Sequence, residues 1–170
     1  MSTSENNSPH ISVNTQYIKD LSFENPHAPK SFAQIQKTPK IDVNIDLDIN
    51  KTSNDNHYEV NMKININTTS EDSIIFTMEL IYSGMFTLKN FPIEHHKQVL
   101  AVHCPTLMFP FARRIIASTT QDAGFQPLMI DPIDFGALYK KKITEENNNV
   151  SSENLSDSEQ NADGDNKSIN

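Results

Sequence analysis

The chain has 170 residues, with 14 basic side chains against 22 acidic ones and a formal net charge of -8, which argues against a nucleic-acid-binding surface. Its single cysteine excludes an internal disulfide, and its four scattered glycines cannot build a phosphate-cradling loop. No charged-then-apolar leader opens it and no apolar run approaches the roughly 20 residues of a bilayer span, so a cytoplasmic protein without membrane insertion is expected.

Tyr17 to Glu24 alternates in the manner of a strand, with Tyr17, Lys19, Leu21 and Phe23 on one side and Ile18, Asp20, Ser22 and Glu24 on the other. Ile41, Val43, Ile45, Leu47 and Ile49 form the apolar register of a second strand, opposite Asp42, Asn44, Asp46 and Asp48. Tyr58 to Ile66 repeats the pattern with Glu59, Asn61, Lys63 and Asn65 outward. Ile74 to Tyr82 repeats it again, with Ile75, Thr77, Glu79 and Ile81 outward. Short polar segments at 51–56 and 67–73 suit antiparallel turns, so strands two to four are expected to form a meander with one wet face. The link between strands one and two is longer and holds Pro26, Pro29 and Pro39, which predicts a crossover.

After Gly84 the pattern turns helical, starting at Pro92 and ended or kinked by Pro105. Pro110 opens a second helical run that Gly124 stops. Phe125 to Ile133 carries Pro127 and Pro132 and reads as an apolar loop. Asp134 caps a last helix that runs through Phe135, Leu138 and Tyr139 into Lys140 to Lys142. The seven acids between Glu145 and Asp165 face only Lys167 and lie among Asn and Ser, a composition unable to bury enough surface to order itself. The expected organisation is a disordered stretch 1–12, one folded domain 13–143 and a disordered acidic tail 144–170. The class is α+β, a four-stranded antiparallel sheet with a crossover between strands one and two and helices on one face.

Side chains for catalysis or metal binding are sparse. His95, His96, His103 and Cys104 cluster, but His96 and His103 are seven apart and no acidic ligand stands beside them, so no metal is expected. Cys104 reads as a small buried thiol near a helix end more than as a nucleophile. The Asn67 acceptor triplet is a chance product of an asparagine-rich chain, and Lys140 to Lys142 is a solvated helix end. Neither a cofactor nor catalysis is expected. Phe109, Phe111, Phe125, Met129 and Phe135 crowd the C-terminal third and exceed what one small sheet covers, which points to a subunit interface or a peptide groove.

Three segments carry a resemblance. Residues 17–29 (Tyr-Ile-Lys-Asp-Leu-Ser-Phe-Glu-Asn-Pro-His-Ala-Pro), 103–113 (His-Cys-Pro-Thr-Leu-Met-Phe-Pro-Phe-Ala-Arg) and 124–139 (Gly-Phe-Gln-Pro-Leu-Met-Ile-Asp-Pro-Ile-Asp-Phe-Gly-Ala-Leu-Tyr) resemble, in order, the bacterial protein-export chaperone family SecB. The resemblance implies a cytosolic homotetramer, a dimer of dimers, that keeps unfolded precursor proteins export-competent and delivers them to the translocation ATPase SecA. It also implies a SecA-docking surface at Asp20, Glu24 and Glu79, with Thr77 where many relatives carry leucine. The client groove it implies comprises Phe32, Ile35, Phe125, Leu128, Met129, Phe135 and Leu138, Ile35 standing in for a tryptophan that this chain lacks. A second class, a small-molecule carrier or enzyme with His103 or Glu94 in an apolar cavity, remains open at this point.

Overall fold

The computed structural model describes residues 8–34, 39–71 and 73–145; Ile35 and the tail from 146 lie outside the described residues. The chain divides into two compact units, Met1–Ile133 and Asp134–Asn170. In the first, β1 (His10–Glu24), β2 (Lys40–Lys51), β3 (His57–Ser70) and β4 (Ser73–Lys89) form one antiparallel sheet in the order β1-β4-β3-β2. β1 and β2 are opposite edges, so the proline-bearing link, with its short α1 (Ser31–Gln34), crosses the sheet as the sequence predicts.

The helical segment packs on one face. Val60, Met62, Ile64 and Ile66 of β3 and Met78, Leu80, Phe86 and Leu88 of β4 are buried there. Removing such side chains from water, at roughly 25 cal/mol per Å² of apolar area, is the main stabilising term. In the ladder, Val43, Ile45, Leu47 and Ile49 of β2 stand opposite Ile66, Ile64, Met62 and Val60, which confirms the expected register.

The strands depart from the expected pattern in four places. β1 begins at His10, inside the stretch expected to be disordered, because β4 runs on to Lys89 and offers Ile11 a partner in Leu88. β4 accordingly passes through Gly84, where a helical pattern was expected to begin. A Cβ at Gly84 would lie 2.6 Å from Phe86 Cε2 and 3.2 Å from Met108 Sδ, so the glycine marks a close approach of helix to sheet. A shift between Ile18 and Asp20 places Tyr17 opposite Ser83 and Ile18 opposite Tyr82, which moves Tyr17 to the polar face and Ile18 to the helix side. A further shift at Thr68/Thr69 leaves Ile75 without a ladder partner and buries it, whereas Ile74, expected in the apolar register, is exposed.

The prolines of the helical segment do not break it. α2 (Ile93–Gln98), a π turn (Val99–His103) and α3 (Cys104–Asp122) follow without interruption. The Cys104 N–H donates to the Val99 carbonyl five residues back, widening the turn just before Pro105, whose ring would otherwise crowd the carbonyl four residues earlier. Pro110 lies inside α3 and removes one donor without ending it. Gly124, at φ 88°, terminates α3 as expected, with the Gly124 and Phe125 N–H groups donating to Gln121 and Thr120 carbonyls.

The second unit contributes α4, residues 135–145. Asp134 caps it, its carboxylate accepting from the Ala137 N–H at 2.9 Å. Phe135 and Leu138 lie three residues apart on this helix, and Glu145, expected in the tail, is its last described residue.

Candidate functional site

Two features on opposite faces of the sheet collect the candidate residues. On the helix side, Phe125 lies at the centre of an aromatic cluster, its ring centroid 5.0 Å from those of Phe32 and Phe76 and 6.2 Å from that of Phe23. Phe23 and Phe76 stack at 5.1 Å across β1 and β4. Phe125 is buried and forms the floor of the cluster, whereas Phe32 is 38% exposed and Met129 58% exposed. Gly124 is needed beside them, since a Cβ there would come within 3.2 Å of Phe32 Cε1. The loop that carries Leu128 and Met129 is held to α3 through Thr120. This buried hydroxyl accepts from the Leu128 N–H at 2.9 Å and donates to the Ile116 and Ala117 carbonyls. The structure therefore brings Phe32 and Phe125 together and adds Phe23 and Phe76, which the alternation alone marks as ordinary strand core. Their place in the helix-side register is the signal that could have found them.

On the other face, ladder pairing puts Glu24 opposite Thr77, Ser22 opposite Glu79 and Asp20 opposite Ile81. The three acids, all exposed, thus share one face of two adjacent strands, with Thr77 half-buried between them. The rows continue across β3 and β2 through Asn67 and Asp42, Asn65 and Asn44, and Lys63 and Asp46.

Three lysines of this face are held away from these acids. Lys19, expected on the packed side, is carried to the polar face by the shift at Ile18/Asp20. Its ammonium lies 2.9 and 3.0 Å from the two Glu59 carboxylate oxygens and 3.3 Å from Asn61 Oδ1. Tyr17 Oη donates to Glu59 Oε1 at 2.5 Å, Asn61 Nδ2 to Oε2, and Ser83 Oγ to Asn61 Oδ1. The Tyr17 hydroxyl first, then the Lys19 ammonium, lower the Glu59 carboxyl to a pKa of about 2. The same contact with Glu59 raises the Tyr17 phenol. Lys63 pairs with Asp48 at 3.9 Å and Lys40 with Asp42 at 2.9 Å. Asp20, Glu24 and Glu79 form no ion pair among the described residues.

Of the histidine and cysteine cluster, His96 and Cys104 are taken up by packing, whereas His95 and His103 are exposed. His96 is buried, with one ring nitrogen 2.8 Å from Tyr58 Oη and the other 3.1 Å from the Phe91 carbonyl. Cys104 is fully buried, and burial pushes its thiol up to about 12, far from a thiolate at neutral pH.

Residues 4–146 match the family described as preprotein translocase subunit SecB. The chain belongs to the SecB family. The protein-export protein SecB of Rickettsia felis is 56% identical over 140 residues, spanning 82% of this chain and 92% of the relative. That of Rickettsia bellii matches with the same identity and coverage. Among solved structures, a SecB-like chaperone of Mycobacterium tuberculosis, in complex with a peptide from the HigA1 antitoxin, superposes with a TM-score of 0.60 at 12% identity. The match covers 72% of this chain and 90% of that one, and shows that the fold is shared. The SecB family is one of chaperones, and this chain is a chaperone of protein export.

Proposed function

We propose that this chain is an ATP-independent cytoplasmic holdase that works as a homotetramer, binds unfolded precursor proteins and hands them to SecA. The observation that carries the reading is the division of labour between the two faces of one sheet. The helix side offers exposed apolar side chains over an aromatic floor, chemistry suited to extended apolar segments of many sequences. The other face offers three uncompensated carboxylates, chemistry suited to a basic partner. Client contact is assigned to Phe32 and Phe125 and to Leu128 and Met129 on the loop that follows, and SecA contact to Asp20, Glu24, Thr77 and Glu79. Phe135 and Leu138 of α4, and Ile35, are assigned to clients on the family resemblance. Such sites are individually weak, and several on one tetramer raise the effective concentration of the next contact.

The test is dilution of a denatured secretory precursor into the purified protein without nucleotide. Aggregation is expected to be suppressed near stoichiometric amounts. Phe32→Asp and Leu128→Asp are each expected to weaken the suppression while the native mass stays unchanged. Full suppression by both variants would remove the groove assignment, and none by the wild type would remove the holdase reading.

A further inference from the structure

The Lys19–Glu59 pair stands out on the polar face because it joins a bulged residue of β1 to β3 across the intervening β4. The strand shift at Ile18/Asp20 turns Lys19 onto the polar face, immediately before Asp20 in sequence. An alternating strand would have sent that lysine to the other side. A free ammonium on a flexible four-carbon stem at this position would reach over the neighbouring carboxylate and cancel it. It does not, because Glu59 takes it with both oxygens while Tyr17 and Asn61 hold the carboxylate in place.

We propose that Glu59 is a positioning residue that sequesters Lys19, so that Asp20, Glu24 and Glu79 stay uncompensated for a basic partner. The inference rests on the docking reading given above and names a residue outside the docking set. Glu59 itself touches no partner; it acts by fixing where a cation sits. Two further lysines of the face obey the same rule, Lys63 held by Asp48 and Lys40 by Asp42, both carboxylates on β2 and away from the three free acids, while Lys89 stands at the far end of β4, ten residues from Glu79.

The signs of the charge changes make the idea testable with the full-length protein titrated against SecA by calorimetry at low and moderate salt. Glu59→Gln releases Lys19 and is expected to weaken binding about threefold, the effect of one unit charge roughly 8 Å from a docking cation in a high-dielectric surface. Lys19→Gln is expected to bind at least as tightly as wild type. The double variant, which removes both charges, is expected to return to wild-type affinity and salt dependence. Asp122→Asn, the same charge change at the exposed end of α3, is expected to leave affinity unchanged. A network that merely braced the strands would leave the double variant as weak as Glu59→Gln, and that result overturns the proposal. So does weakened binding by Lys19→Gln, or an unchanged Glu59→Gln beside an Asp20→Lys variant that binds poorly. If Asp20→Lys and Glu79→Lys also bind normally, the docking reading itself has failed and this inference falls with it.

Discussion

Four hydrogen bonds converge on the Glu59 carboxylate, from the Tyr17 hydroxyl, the Asn61 amide and, twice, the Lys19 ammonium. All of them favour the charged form, which is why its pKa drops from 4.5 to about 2. A carboxylate whose folded pKa lies below its unfolded one contributes stability that is fully present above the unfolded value. That stability drains away as pH falls from about 4.5 towards about 2. Each tenfold change in proton affinity is worth roughly 1.4 kcal/mol, so the contribution is a few kcal/mol at most. Wild-type stability is therefore expected to fall more steeply between about pH 5 and pH 3 than that of Glu59→Gln, as urea melts at a series of pH values would show. Parallel curves would mean that the network adds little to folding.

At the scale of elements, what was legible followed from periodicity. β2 and β3 alternate cleanly because one face of each is apolar and the other is not, so their register could be read from Ile41 to Ile49 and from Tyr58 to Ile66. The outward placement of Asp20, Glu24 and Glu79 was legible too, since the first two lie beyond the β1 bulge and Glu79 lies in the regular stretch of β4. The bulge itself was not, because one inserted residue leaves no compositional trace; Lys19 reads as apolar-side until its partner strand is known. Gly84 and the two helix prolines misled for a related reason. Each is a local breaker overridden by tertiary packing, Gly84 by Met108 and Phe86 above it, Pro105 by the widened turn before it. The loop from Phe125 to Ile133 is recognisable by its prolines, but its anchoring by Thr120 is invisible in sequence, since the partner is a backbone N–H. Thr120→Val keeps the shape and deletes the acceptor, leaving the Leu128 N–H to find water. A loss of about 1–3 kcal/mol is the usual cost of such an unpaired group. Hydrogen exchange is expected to quicken at Leu128 in this variant; unchanged protection there would show that the loop is held by its apolar contacts alone.

For the whole molecule, the arrangement of apolar surface favours assembly. Met108, Phe109, Ala112, Ile115 and Ile116 of the helical segment are buried, yet Leu107 and Phe111, four apart on α3, are exposed, and Ile93 is 73% exposed. Ile41 and Val43 on the edge strand β2 are exposed as well. A helix with apolar groups on both sides is built to be covered on both sides. Covering a large apolar side chain contributes roughly 1.5–3 kcal/mol, and closed symmetry applies each such gain once per protomer. The resemblance to SecB implies the stoichiometry proposed above, a dimer of dimers. The native mass by light scattering at micromolar concentration is accordingly expected to be that of four chains. Phe111→Asp, which sets a charge in the exposed row and touches no residue of the docking face, is expected to yield a smaller species that keeps its strand signature in circular dichroism. A wild-type monomer would show that another partner covers the row, and a tetrameric Phe111→Asp would place the interface elsewhere on the chain.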